Sequence, residues 1–195
     1  ISTFHFSLWI FNDLLRALII IKDFNMSYAI FAGGCFWGVE HFFKGMMGVS
    51  SVISGYSGGQ IENPTYEDVV TGTTGHIEVV QIEYDANIVS YDALLDMFFK
   101  IHDPTTVDRQ GPDVGEQYKS VIFYANQSEM NAANEKIKII DAGDFFNNPI
   151  VTEVREAAIF YKAEEYHQDF IEKTGRMCYH QMYVNQNQTL FNSDF

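Results

Sequence analysis

Residues 28–40 read Tyr-Ala-Ile-Phe-Ala-Gly-Gly-Cys-Phe-Trp-Gly-Val-Glu. Tyr28 to Ala32 is a short apolar run suited to a buried strand, and Cys35 to Lys44 continues with Phe36, Val39, Phe42 and Phe43 at helical spacing. Cys35 then falls in the first helical turn, and the glycine pair before it leaves space in front of the sulfur. Ten of the fourteen glycines lie between Gly33 and Gly75, which marks this part as the place where backbone turns sharply or approaches a ligand closely.

Working outward, Val49 to Tyr56 and His76 to Tyr84 read as two further strands around a loop rich in glycine, Ser57 to Gly75. Ser90 caps a second helix to about Ile101, with Tyr91, Leu94, Leu95, Phe98 and Phe99 inward. Tyr118 to Ala125 is a strand and Ser128 to about Asp141 a helix. Strand, helix, strand, strand, helix, strand is the split β-α-β order of the ferredoxin-like class. The expected fold is therefore α+β, a mainly antiparallel sheet with helices packed on one face and C-terminal extensions. Ile150 to Val154 and Ala158 to Tyr161 are candidate edge strands, and Ala163 to Lys173 is expected as a last helix. From about residue 174 an irregular tail is expected.

The 195 residues, 47% hydrophobic, suit a single domain with one core. Residues 1–25 are expected to lie outside it, because the apolar run from Phe4 to Ile21 is broken by Asn12, Asp13 and Arg16 and fits neither a membrane span nor a secretory signal. That leaves 26–195 as the domain. The net charge of -14 repels phosphate backbones and anionic lipid, so neither nucleic acid nor membrane is an expected partner. Two cysteines, Cys35 and Cys178, far apart in sequence, provide neither metal-ligand spacing nor a disulfide framework. A reducing cytoplasm is the expected compartment, with no metal and no cofactor.

A free cysteine is commonly only a small buried hydrophobe. At a helix N-terminus, however, unpaired N–H groups favour the thiolate, so Cys35 is expected to have a lowered pKa and to act as a nucleophile. Phe36 and Trp37 at helical spacing can simply be core, but they point about 100° apart around a helix and are not expected to face the same core, so one or both can wall an apolar pocket. Along residues 76–84, alternation puts Glu78 on the side of Val80, Ile82 and Tyr84. Burial there would raise its pKa and make it a general acid, against the alternative of a salt-bridged strand-end residue. The loop from Asp108 to Tyr118, with Asn63-Pro64-Thr65-Tyr66, supplies two tyrosines and Asp113 to orient a substrate oxygen, or is only turn chemistry.

Together the stretches GGCFWGVE, YSGG, PTYEDVVTGTTGHIEVV, HDPTT, DRQGPDVGEQYKS and AEEYHQDF resemble the peptide methionine sulfoxide reductase A family from about Met26 to Lys173. The resemblance implies thiol-dependent reduction of methionine-S-sulfoxide, free or in peptides, with Cys35 attacking and becoming a sulfenic acid. It further implies a methyl pocket from Phe36 and Trp37, proton donation by Glu78, and oxygen binding by Tyr66, Asp113 and Tyr118. Cys178 would be the resolving cysteine and thioredoxin the reductant, although Lys173-Thr174-Gly175-Arg176-Met177-Cys178 departs from the family's usual surroundings. A monomer is expected. Two rival readings remain: a cysteine hydrolase or acyltransferase pairing Cys35 with His76, and a noncatalytic redox-sensing peptide-binding module.

Overall fold

The structure is a computed structural model that describes residues 25–192; the expected extension up to residue 24 lies outside the described residues. Strand β1 (Met26–Gly33) leads into helix α1 (Phe36–Lys44), then β2 (Val49–Ser57), the single turn α2 (Tyr66–Val69), β3 (Ile77–Asp85) and α3 (Tyr91–Ile101). A small hairpin follows, β4 (Arg109–Gln110) and β5 (Asp113–Val114), then a 3-10 turn (Glu116–Tyr118), β6 (Ser120–Tyr124) and α4 (Gln127–Ala142). The chain ends in two short edge strands, β7 (Glu153–Glu156) and β8 (Tyr161–Lys162), and three helices, α5 (Phe170–Thr174), α6 (Tyr179–Gln186) and α7 (Gln188–Phe191).

The main sheet has the order β7-β6-β1-β3-β2-β8, with every pairing antiparallel except β6 with β7. Alternation along the strands divides its side chains between two faces. Ala29, Phe31, Val80 and Ile82 join Phe36, Val39 and Phe43 of α1 and Leu94, Leu95, Phe98 and Phe99 of α3 in the main core. Ala32, Ile77, Val79, Val121 and Phe123 form a smaller cluster on which Phe160 packs. Each fully buried Phe or Leu contributes about 2 kcal/mol through apolar burial, so the long core, shared by sheet, α1 and α3, fixes where α1 begins.

Local signals set the ends of the helices. Ser90 accepts the Ala93 N–H at 3.1 Å to start α3, and Asn126 accepts from Glu129 N–H at 3.0 Å to start α4. The C-terminal third departs from expectation. The helix expected over 163–173 is reduced to Phe170–Thr174, because the preceding residues hold side chains and turns together instead. The Gln168 amide bonds the backbone of Ser54 and Ala163, and Asp169, at a left-handed φ of 57°, gives its N–H to Glu40. Nor is the tail irregular throughout: α6 and α7 occupy most of it, and His180, Tyr183 and Val184 are buried. Those three residues, at helical spacing, make the segment worth folding despite its many Asn and Gln.

Candidate active site

Cys35 is the N-cap of α1, and its carbonyl accepts the Gly38 N–H at 3.2 Å. The preceding Gly34 has a φ of 93°, and a β-carbon on it would overlap the Gln110 side chain; only glycine serves there. Gln110 in turn clasps Asp103, accepting its N–H and donating to its carbonyl, both at 3.0 Å. The hairpin that carries Asp113 is thereby pinned against the start of α1.

Glu78 lies across from that same helix start. It is buried, and its Oε2 accepts the Phe36 N–H at 3.0 Å. Burial pushes its pKa up to about 8, against the pull of that N–H. The carboxyl is therefore mostly protonated near neutral pH, which is the state a proton donor needs. Glu78 has no cationic partner among the described ion pairs, as the salt-bridge alternative would need.

The expectation of a lowered Cys35 pKa is overturned. Burial, then the Glu78 carboxylate, push the thiol well above its ordinary value, and the Trp37 backbone N–H pulls it down too weakly to compensate. The helix start does favour the thiolate, as expected, but here a buried acid stands on the other side of the sulfur. Protonation of Glu78 removes the repulsion, so thiolate character at Cys35 and a proton on Glu78 go together.

The other expected groups gather here. Burial, then Glu78, raise the pKa of both Tyr66 and Tyr118, and Cys35 and Asp113 raise them further, so all five lie within one electrostatic neighbourhood. Burial also raises Asp113. Tyr66 sits at the start of α2, where its N–H donates to Glu164 Oε1 at 2.8 Å, while Tyr118 ends the 3-10 turn instead of lying in a strand. A pocket of about 340 Å³ opens beside them, lined by Cys35, Trp37, Asp113, Phe170, Cys178 and others. A roomier cleft of about 490 Å³, lined by Glu40, Lys44, Lys162 and Glu165, contains none of the expected site residues.

Contrary to expectation, Phe36 and Trp37 rest on the same core, Phe36 inside it and Trp37 at its edge, and both rings meet His167. Phe36 is buried in the core beside Tyr56, while Trp37 stacks flat on Phe170 with ring centroids 3.7 Å apart. The Trp37 Nε1–H donates to His167 Nδ1 at 3.1 Å. His167 thus holds the pocket wall, a role that the sequence alone did not assign to it. Sequence reasoning also missed Glu164, which accepts the Tyr56 hydroxyl and the Tyr66 N–H, and His180, whose ring reaches the Gly33 carbonyl. A buried His or a half-buried Glu whose partners are about a hundred residues away leaves no periodic signal.

Cys178 caps α6 and is a free thiol in the same pocket as Cys35. His76, by contrast, is committed elsewhere. Its Nδ1 accepts the Gly59 N–H and its Nε2 donates to the Ile61 carbonyl, which leaves no free nitrogen for Cys35. Among the described residues no group of three or more His, Cys, Asp or Glu could hold a metal ion, and no helix is long and apolar enough to cross a membrane.

The family model "Peptide methionine sulfoxide reductase" matches residues 27–195. The peptide methionine sulfoxide reductase MsrA of Methanothermobacter thermautotrophicus is 54% identical over 152 residues, which cover 77% of this chain and 90% of that protein. Among solved structures, Mxr1 from Saccharomyces cerevisiae in reduced form superposes with a TM-score of 0.75 at 30% identity, over 80% of this chain and 90% of that one. Methionine sulfoxide reductase A of Corynebacterium diphtheriae gives 0.73 at 31% identity, over 82% and 80%.

Proposed function

The chain belongs to the peptide methionine sulfoxide reductase family, and on that premise we propose how its residues divide the thiol-dependent reduction of methionine sulfoxide to methionine. The observation that carries the proposal is the meeting of Cys35 and a buried Glu78 at one helix start, joined through the Phe36 N–H. The substrate methyl group packs against Trp37 and Phe36, and its oxygen faces Glu78, Tyr66, Asp113 and Tyr118. Glu78 protonates that oxygen while the Cys35 sulfur bonds to the sulfoxide sulfur. Oxygen then passes to Cys35 as the sulfur–sulfur bond breaks, and its electron pair stays on the departing thioether. The Cys35 proton restores Glu78, so the balance is thiol plus sulfoxide giving sulfenic acid plus methionine.

Cys178 then attacks the sulfenic acid, releasing water and leaving a Cys35 to Cys178 disulfide that thioredoxin reduces. We read the pocket as selecting the S epimer, the active unit as a cytoplasmic monomer, and residues 26–195 as the catalytic domain with the preceding residues outside it. The strands β6, β1, β3 and β2, in that order, support a ferredoxin-like reading of the core. The test is dithiothreitol-dependent reduction of the separated S and R epimers. Methionine from the S epimer alone is the expected result; equal rates from both would remove the stereochemical reading, and no turnover of either would remove the activity.

A further inference from the structure

The first turn of α6 carries a buried imidazole for which the reductive step has no use. His180 is fully buried, and its Nε2 lies 2.7 Å from the Gly33 carbonyl oxygen. A carbonyl only accepts, so Nε2 bears the proton and Nδ1 a lone pair. Among the described residues that Nδ1 has no hydrogen-bond partner. A buried acceptor left in this state costs free energy until a donor reaches it.

The thiol two residues earlier approaches the same place without bonding to it. His180 Nδ1 and Cys178 Sγ converge on Gly38, one turn into α1 from Cys35: a β-carbon on Gly38 would overlap the imidazole and stand 2.9 Å from the sulfur. Burial raises the Cys178 pKa, while the backbone N–H groups of Gln181 and His180 point at the sulfur and lower it. Those amides prepare a place for a thiolate but cannot take the proton.

We infer that His180 Nδ1 accepts the Cys178 thiol proton as Cys178 attacks the Cys35 sulfenic acid. The step rests on the reading of Cys178 as the resolving cysteine. The Cys178 sulfur bonds to the Cys35 sulfur, the Cys35 S–O bond breaks, and the departing hydroxide takes a proton from Glu78. The imidazolium then returns its proton to the Glu78 carboxylate through solvent. The sum is sulfenic acid plus thiol giving disulfide plus water, with both His180 and Glu78 as they began. Burial holds the His180 pKa down to about 4, so the imidazole is neutral with its lone pair free across the physiological range, and the imidazolium exists only during the attack. The other titratable groups that act on this pair are Asp113, which raises Cys178, Cys35 in the same pocket, and His102, which His180 itself influences.

His180→Gln keeps an amide donor for the Gly33 carbonyl and replaces the basic Nδ1 by an amide oxygen that can accept a hydrogen bond but cannot hold a proton. In rapid-quench experiments with one equivalent of sulfoxide, methionine release reads the first step and mass spectrometry of the protein reads disulfide formation. The expected result is that the ratio of the second rate to the first falls about 10²-fold near neutral pH, the scale of a lost general base. The ratio should recover at high pH, where the thiol ionises without help. An unchanged ratio, or equal loss in both steps, overturns the inference. Wild type supplies a second measurement that no folding defect can blur. Its disulfide step should hold a plateau well below the Cys178 pKa, and a rate that climbs in proportion to hydroxide up to that range overturns the role of His180. Absence of any Cys35 to Cys178 disulfide in wild type sinks the resolving assignment, and the inference with it, while leaving the reduction of sulfoxide intact.

Discussion

The two cysteines occupy the same kind of position, each the N-cap of a helix, yet their surroundings differ. Cys35 faces a buried carboxyl from β3 and receives one opposing backbone donor; its pKa is pushed well up. Cys178 is also raised by burial, but the N–H groups of Gln181 and His180 oppose the shift. Its own N–H bonds the Gln181 side chain at 3.0 Å, which closes the first turn around it. A helix start alone thus does not set a thiol's chemistry; the element packed across from it does. Opposite Cys35 stands a proton donor, and beside Cys178 stands a proton acceptor. The first suits attack on an oxygen-bearing sulfur, the second attack on a sulfenic acid.

Exchange of the sulfur at Cys35 should break this contrast most severely. Cys35→Ser is expected to abolish methionine formation with dithiothreitol while circular dichroism stays unchanged, because a serine hydroxyl remains protonated and is a poor nucleophile toward sulfur. Next in size, Glu78→Gln should slow the single-turnover burst by roughly 10²- to 10⁴-fold.

The same change should raise stability at alkaline pH. The folded Glu78 pKa of about 8 lies above the ordinary 4.5. Below about 4.5 both states hold the proton, between the two values only the unfolded chain releases it, and stability falls as pH rises until about 8. Thermal melts should show the Gln variant gaining on wild type across that window, by a few kcal/mol at most. A parallel pH dependence in both proteins would mean that Glu78 ionises freely.

Cys178→Ser sharpens the comparison from the other side. One turnover should proceed at the wild-type rate, after which Cys35 sulfenic acid accumulates and thioredoxin no longer supports recycling; normal steady-state turnover with thioredoxin would make Cys178 a bystander. The smallest effect belongs to Gly38→Ala. The added methyl group pushes against His180 and Cys178 and should cost about 1–3 kcal/mol in denaturant unfolding, as overpacking does. An unaltered midpoint would show that α6 yields easily to α1.

The half of the site around Cys35 was legible because regular geometry builds it. A strand, a glycine turn and an amphipathic helix place the cysteine, and period-two alternation puts Glu78 on the core side of β3. The direction of the Cys35 shift was not legible, since it depends on β3 crossing in front of α1, a contact between residues 43 apart in the chain that no local pattern encodes. The C-terminal half was hidden for a related reason. Gln168, His167 and His180 act by reaching back to Ser54, Trp37 and Gly33. Their segment looks like a polar helix followed by loose chain until those distant partners are known.

The bond from the Phe36 N–H to Glu78 Oε2 has a spectroscopic consequence. A carboxylate draws an amide proton downfield more strongly than a neutral carboxyl does, because a charge-assisted hydrogen bond is the stronger one. The Phe36 amide resonance therefore reports the charge on Glu78 without any added label. Followed against pH, its shift should titrate near 8; followed after sulfoxide is added, it should show when the acid has given up its proton and when it has been refilled.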